Sequence, residues 1–572
     1  MAHPIRNLTR RSFIRGLASV GGLGAAYTAL AAFDLMGQGA LAQGNTTAPL
    51  PGGSLQGKSV IVIGAGLAGL CSAMRLARAG ADVRILEATN RPGGRSLSLR
   101  NGNAYREWDW NSDTTMVFEQ VGDVPPDDPD NYLNAGPGRI PQHHARVLDY
   151  CRDLGVELQP YLYMDKANLM QNDDWNAGRP VQARRLKNDL RGTLAEMLAK
   201  VADQGALDQL MDPGDTEAFL GMLQQFGQLT REGAQLVYAG AAAQNDYIRA
   251  GYSVEPGDVR TPGDPWPTLS LEEVLNSDFW NSEMFHDLEY FWQTSLMQPV
   301  DGMDMIWKGF LRADVGGGKT VGDLIVLEQP VSGIDVEGER ATVRGAYGQN
   351  FEADFVIATL SAPLLSRLGG NFMDPVTRQI LSEVFITPAC KVGFQGRSRF
   401  WEQEDRIYGG ISWTKGIINQ IWYPNYSFNS PTGVLTGTYN NGADAAIFQQ
   451  MSREQRIETA LAGGEKLHPG YRDKVFAENG VSIAWAKMPY QAGGWANDTA
   501  FSQPEVFKRM AAADPIGRKV FMAGDWFSYW PGWQVGALDS AHLASDQIAR
   551  VAAFGGLVGH GAPGAASVTP GR

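Results

Sequence analysis

The chain has 572 residues, and 62 acidic against 49 basic side chains leave it a net charge of −13. That length is too great for one compact domain and ample for two or three. The acidic balance argues against nucleic acid and anionic membranes, both of which call for clustered Lys and Arg, and points to an enzyme of small substrates. In chain order, the first feature is Thr9-Arg10-Arg11-Ser12-Phe13-Ile14, a twin-arginine pattern, followed by a Gly/Ala-rich run from Gly16 to Ala32 and by Ala40-Leu41-Ala42. This reads as an export signal over residues 1–42, cleaved after Ala42, with the protein delivered folded to the periplasm or outside. The run is too short and too rich in small residues for a stable membrane anchor. Seven histidines show no paired metal-ligand spacing, so no metal is expected, and adjacent His143 and His144 read as surface or packing residues. Three scattered cysteines make no disulfide framework, and Cys71 reads as a core residue.

The strand Val60-Ile61-Val62-Ile63 runs into Gly64-Ala65-Gly66-Leu67-Ala68-Gly69, then a helix, a stop at Gly80 and a second strand ending on Glu87. This is the strand, glycine turn, helix and strand arrangement that binds a dinucleotide. Gly64 permits the tight turn, Gly66 lets backbone approach a pyrophosphate at the helix N-terminus, and Gly69 lets helix and strand pack closely. Glu87 can accept from ribose hydroxyls. Directly after it stand Ala88 and then Arg91-Pro92-Gly93-Gly94-Arg95. Here the sequence resembles the flavin-dependent amine oxidase family, which implies FAD, with Gly94 and Arg95 beside its phosphates. Near the other end, Val520-Phe521-Met522-Ala523-Gly524-Asp525 and Trp530-Pro531-Gly532-Trp533-Gln534-Val535-Gly536 match that family's C-terminal flavin signature. The resemblance gives Gly524, Asp525, Trp533, Gln534 and Val535 to the flavin, although the family usually has Glu where this chain has Asp525. It also places Val331 where backbone meets the adenine. The segment Ala492-Gly493-Gly494-Trp495 has Trp495 where covalent attachment would need cysteine, so FAD is expected to bind without a covalent bond.

Between these motifs, residues 101–135 are dense in acids and aromatics and read as an inserted, solvated surface loop, with a lid or a subunit contact as alternatives. From about Val147 to Phe310 the pattern is helical, with Leu186, Leu190, Leu194, Met197, Leu198 and Val201 on one face and a capping box at Ser270-Leu271-Glu272-Glu273. Short strands return over 324–359. The resemblance implies an α/β fold: an FAD-binding Rossmann-like domain of amine oxidase type (57–90, 299–388 and 515–553), interleaved with a mixed-sheet substrate domain (91–146 and 389–514) and a helical domain (147–298). A disordered tail is expected over 554–572.

The loop Gly136-Pro137-Gly138-Arg139-Ile140-Pro141 looks like the L-amino acid oxidase version of its segment. That subfamily binds the substrate carboxylate with the arginine, matching the planar two-point fork that only a guanidinium offers; Gly138 and Arg139 also fall beside the flavin. Tyr439 matches a tyrosine that shares the carboxylate, Lys391 a lysine holding a water against the flavin, Gly532 a carbonyl facing the substrate amine, and Trp533 a wall of the site. Trp422, Tyr423, Trp526 and Trp530 are further candidates for that wall. The implied activity is FAD-dependent oxidation of L-α-amino acids by O₂ to 2-oxo acids, ammonia and hydrogen peroxide. A monoamine or polyamine oxidase, an amino acid 2-monooxygenase, and a flavin protein without turnover stay open, as do a homodimer and the choice between basic and aromatic substrates.

Overall fold

The computed structural model describes residues 46–205, 212–240, 249–281, 283–293, 295–497 and 519–554. The export signal expected over 1–42 and the tail expected from Gly555 lie outside the described residues. Val60 to Ile63 have no polar face to offer water, so strand β1 (Ser59–Ile63) sits inside a sheet covered on both sides. It leads into helix α1 (Leu67–Arg78) and strand β2 (Asp82–Leu86), which lies parallel to β1 with Ser59 opposite Asp82. Next come helix α2 (Ala145–Asp153), strands β3 (Leu158–Leu162), β4 (Leu169–Gln171) and β5 (Val181–Gln182), helices α3 (Ala183–Asp203), α4 (Pro213–Gly227) and α5 (Leu271–Asn276), and strand β6 (Ser295–Pro299). Strand β7 (Ile325–Val326) returns to β2. Strands β8 (Val331–Glu337), β9 (Arg340–Gly345) and β10 (Asn350–Ala353) form an antiparallel meander, and β11 (Phe355–Ala358) lies parallel to β1. The chain then adds β12 (Ala389–Gln395), β13 (Ile411–Thr414), β14 (Gln420–Trp422), β15 (Val434–Asn441), β16 (Val481–Ala484), β17 (Val520–Met522) and a closing helix α6 (Gln534–Phe554).

Two sheets organise these elements. One is five-stranded and wholly parallel, in the order β7-β2-β1-β11-β17; the other is seven-stranded and mixed, in the order β16-β12-β15-β14-β13-β4-β5. Over the parallel sheet, α1 packs Leu70, Cys71 and Met74 into the same core as Leu538, Ala541 and Ile548 of α6. Cys71 is therefore a core residue, its Sγ 3.5 Å from the Tyr150 hydroxyl. Among the described residues, no helix is long and apolar enough to cross a membrane.

Three expectations need correction. The region from Val147 to Phe310 is only partly helical, because β4 and β5 join the mixed sheet and β3 pairs with β6. On α3 the capping and burial logic divides: Leu186 and Leu190 are buried, whereas Leu194, Met197, Leu198 and Val201 are between 39 and 48% exposed. The helix instead turns Gly192, Ala195, Ala199 and Ala202 inward, since α4 approaches so closely that a side chain on Gly227 would strike Ala195. Small residues permit that approach, and the larger apolar ones are left on the rim. The capping box forms as expected, with Glu273 N–H donating to Ser270 Oγ (3.2 Å) and Ser270 N–H donating to Glu273 Oε2 (2.7 Å).

The third correction concerns residues 101–135, which are not a solvated loop. Tyr105, Met116, Phe118, Tyr132 and Leu133 are buried, several of them against Val434, Val481 and Ile483 of the mixed sheet. Glu107 and Arg456 form a two-point ion pair at 2.7 and 2.8 Å with neither side chain exposed, and Glu107 also accepts from the Ala484 N–H at 2.8 Å. The acids that dominate the composition sit at the outer end and obscure the apolar residues that dock. Removing one partner of a buried pair strands the other charge, so Arg456→Met should cost about 3 to 5 kcal/mol of unfolding free energy. Adding Glu107→Gln, which keeps an acceptor for Ala484, should restore more than half of that in the same urea or thermal melts. A single variant as stable as the parent would show that the pair does not anchor this segment.

Candidate active site

The first half of the site is a cradle of backbone. Gly64 takes φ of +102°, and a side chain there would come within 2.5 Å of Thr359 Oγ1. At Gly69 a side chain would strike the Gly64 carbonyl, so only glycine allows α1 to start this close to β1. Gly66 differs: its missing side chain would meet no atom within 4 Å, and the open space at the N-terminus of α1 is where a pyrophosphate belongs. Leu67 and Ala68 send their side chains into the core, so they offer only N–H groups. The Gly93-Gly94 turn closes over the cradle, with Gly93 N–H donating to the Ala65 carbonyl at 2.8 Å. Glu87 accepts from Ala65 N–H (2.8 Å), Thr89 N–H (2.9 Å) and the Thr89 hydroxyl (2.8 Å), with half-buried Ala88 between them in the chain. A carboxylate has about four acceptor sites. When the Thr89 hydroxyl turns to the Arg91 carbonyl, also 2.8 Å away, two are left for ribose hydroxyls. The strand leading to Val331 runs alongside, Gln329 N–H donating to the Glu87 carbonyl at 2.8 Å.

The second flavin motif is tied to the first through charge. Arg95, expected on phosphate, pairs with Asp525, expected on a sugar hydroxyl, and Arg95 also donates to the Gly494 carbonyl at 2.7 Å. Asp525 further accepts from the Gly532 N–H at 3.0 Å, holding a turn in which Gly532 has φ of +81° and backs onto Trp495. Gly524, at φ of +145°, lies against the Trp526 ring. Gln534 opens α6 and donates to Ser96 Oγ at 3.0 Å, while Val535 packs in the core. Helix N-terminal N–H groups lack intrahelical partners, so Gln534 and Val535 present donors to an anionic ring edge. These residues fit an FAD laid from Glu87 to Trp533. None of the three cysteines faces this track; Cys71, Cys151 and Cys390 are all buried in apolar clusters.

The third group brings Arg139, Lys391, Tyr439 and Trp422 together. The loop carrying Arg139 is pinned on both sides: Gly136 N–H donates to Leu97 O (3.0 Å), and Ile140 exchanges backbone hydrogen bonds with Met297 of β6 (2.7 and 2.9 Å). Gly138 lies so near Trp422 that a side chain would come within 2.6 Å of the ring. The Arg139 guanidinium sits 4.4 Å from the Trp292 ring centre, 4.6 Å from Trp422 and 5.3 Å from Tyr163. Its Nε is buried without a hydrogen-bond partner, its guanidinium is hydrogen-bonded to the Tyr161 hydroxyl, and among the described residues no carboxylate pairs with it. Lys391 and Tyr439 face each other across β12 and β15. The Lys391 amine donates to Asn134 O (2.8 Å) and Gly136 O (2.7 Å), and burial, reinforced by the charge of Arg139, pulls its pKa well below the usual lysine value. In the uncharged form both N–H donors are used, and the lone pair remains for a water. Burial likewise raises the Tyr439 hydroxyl, so it stays protonated and can donate.

Gly532 and Trp533 reach this group through Trp292, whose ring lies 5.6 Å from Trp533. Trp530 joins them through His143, His144 and Phe291. Tyr423 and Trp526 do not: Tyr423 is bonded to Ser412 and His468 in the sheet core, and Trp526 donates to Leu360 O at 2.9 Å. Sequence reasoning missed Tyr163, Phe291 and Trp292. They lie in the stretch read as a helical core, and only the run Tyr290-Phe291-Trp292 hinted at a wall.

Comparison with known proteins agrees with this geometry. The model of the family described as flavin containing amine oxidoreductase matches residues 67–549. The flavin-dependent L-tryptophan oxidase RebO of Lentzea aerocolonigenes is 26% identical over 511 residues, 85% of this chain and 97% of that protein. The L-amino-acid oxidase of Protobothrops flavoviridis is 25% identical over 508 residues, 86% of this chain and 89% of its own length. Among solved structures, a putrescine oxidase variant matches with a TM-score of 0.52 at 17% identity, covering 87% of this chain and 99% of that one. The cyclohexylamine oxidase of Brevibacterium oxydans matches with a TM-score of 0.51 at 14% identity and the same coverage. At these identities the two structures share the fold.

His144 caps α2 and packs edge-on against Trp533 at 4.9 Å, and burial lowers its pKa from 6.5 to about 3. Below pH 6.5 the unfolded chain therefore binds a proton that the folded site refuses. Stability should fall by about 1.4 kcal/mol per pH unit from this one group as pH drops from 6.5 towards 3. His144→Phe keeps the ring packing and removes the titration. Urea melts from pH 7 to 4 should show the variant gaining on the parent as pH falls; a constant difference would mean that the ring takes up its proton as readily in the folded protein as in the unfolded chain.

Proposed function

The chain belongs to the flavin-containing amine oxidoreductases, and from that premise we propose that it oxidises L-α-amino acids to 2-oxo acids with release of ammonia and hydrogen peroxide. Its cofactor is FAD, held without a covalent bond. The observation that carries the reading is Arg139: a half-buried guanidinium set against the Trp292 and Trp422 rings, near Lys391 and Tyr439, with no carboxylate paired to it among the described residues. An oxidase of simple amines has no use for a carboxylate fork there. The relatives described as an L-tryptophan oxidase and an L-amino-acid oxidase support the same choice.

FAD, held by the Gly64–Gly69 cradle, Glu87 and the N-terminus of α6, would supply the hydride acceptor for the substrate Cα and the route for its electrons to O₂. The protein does the rest by position. Arg139 forms two parallel N–H bonds to the substrate carboxylate, and the Tyr439 hydroxyl donates a third. The Gly532 carbonyl accepts from the substrate amine, which must be uncharged at Cα oxidation, and Trp533 walls that side. Lys391, with both N–H groups committed to carbonyls, holds a water through its lone pair. The imino acid product takes up water and breaks down to 2-oxo acid and ammonia.

We also propose that the protein works in the periplasm or outside the cell, supported by Arg10-Arg11 and the Ala40-Leu41-Ala42 site. Replacing both arginines by lysine should leave the protein with the cytoplasmic fraction; unchanged export would reject the twin-arginine route. For the activity, Arg139→Ala should lose about 3 to 5 kcal/mol of transition-state binding, on the order of 100- to 3,000-fold in kcat/KM on an amino acid. Arg139→Lys should recover only part, because it keeps the charge and loses the fork. Neither change should matter for the corresponding decarboxylated amine. Equal loss on both substrates would overturn the amino acid reading, and release of an amide and CO₂ without peroxide would point to a monooxygenase.

A further inference from the structure

We propose that Trp292 is a positioning residue for the carboxylate fork: it completes a clamp of aromatic faces that holds the Arg139 guanidinium without taking up its N–H donors, so that those not given to the Tyr161 hydroxyl remain for substrate. The inference rests on the amino acid reading above. A half-buried cation needs compensation, and the usual one, a carboxylate, is absent from Arg139 among the described residues. What stands there is ring faces. Trp292 and Trp422 lie 4.4 and 4.6 Å from the guanidinium carbon, so each presents a ring face to the charge. A ring face attracts the charge through its quadrupole but offers no acceptor in the guanidinium plane. Beyond the hydrogen bond to the Tyr161 hydroxyl, the donors that would otherwise be spent on an acid stay available, and among the described residues no carboxylate pairs with them.

Trp292 is itself held in a defined orientation. Tyr163 stacks on it at 5.3 Å with planes 14° apart, and the Tyr163 hydroxyl is fixed 3.0 Å from His286 Nδ1. On its other flank lies Trp533, at 5.6 Å. One ring thus touches both the carboxylate-binding arginine and the wall beside Gly532, which sets the distance between the two ends of the substrate. Trp422 cannot serve both, since it is committed to Tyr439 (4.9 Å), to Lys391 (4.4 Å) and, by its indole N–H, to Gln420 (2.7 Å).

The test uses the FAD-loaded full chain and two probes of one shape, benzoate and benzamide, with binding read by calorimetry. The parent should bind benzoate more tightly than benzamide. Trp292→Ala should weaken benzoate by roughly 10- to 30-fold while changing benzamide much less, and should raise KM for an amino acid more than it lowers kcat. Trp292→Tyr, which keeps a ring face, should regain most of the loss, and its melting temperature controls for folding. If Trp292→Ala weakens both probes equally, or neither, Trp292 is only an apolar wall and the clamp is wrong. If the parent shows no preference for benzoate, the carboxylate site itself fails, and the clamp with it.

Discussion

A positive charge partly withdrawn from water, with no acid paired to it among the described residues, is the constraint around which this site is built. Solvation lost by Arg139 has to be replaced, and a protein carboxylate would replace it by occupying the two-point fork. Aromatic faces from Tyr163, Trp292 and Trp422, helped by one hydrogen bond to the Tyr161 hydroxyl, do so without a fixed acid in the fork. The same charge acts on its neighbour, adding to the burial that discourages protonation of Lys391. Two cations against one tryptophan would repel; an uncharged lysine does not. Glycine at 138 follows from the same arrangement, because the loop must pass close enough to Trp422 to leave no room for a side chain.

The cofactor cradle shows a second dependence, between sequence motifs at opposite ends of the chain. Arg95 and Asp525 belong to separate flavin signatures, yet each is the other's partner. Asp525 passes that constraint on to the Gly532 turn through its second oxygen, and Gly532 presses on Trp495. The backbone turn at Gly532 is therefore located by an ion pair in the flavin-binding half. An aspartate, shorter than the glutamate usual at this place in the family, suits a residue whose reach ends on an arginine and a backbone N–H.

Outside the site, packing geometry overrides composition more than once. Residues 101–135 look hydrophilic in sequence, but a few aromatic and apolar side chains bind them to the mixed sheet, and one shielded ion pair binds them to the helix that carries Arg456. On α3 the large apolar residues are left at the rim, because a neighbouring helix that approaches through glycine and alanine leaves no space for them between the axes.

The sequence by itself determined the dinucleotide unit, the second flavin signature, the capping box at Ser270 and the core role of Cys71, because each is local: a turn, a cap or an apolar run is dictated by residues next to one another. It also pointed to Arg139 and Lys391 by the motifs around them. Only the tertiary structure decided what surrounds those residues. Trp292 is 153 positions from Arg139 and Tyr163 is 24, and no periodicity relates a ring to the cation it faces. The partnership of Arg95 with Asp525, the burial of Glu107 against Arg456, and the separation of Tyr423 and Trp526 from the substrate wall are likewise contacts between segments. Such contacts depend on how sheets and helices come to rest against one another, and that is a property of the folded chain as a whole.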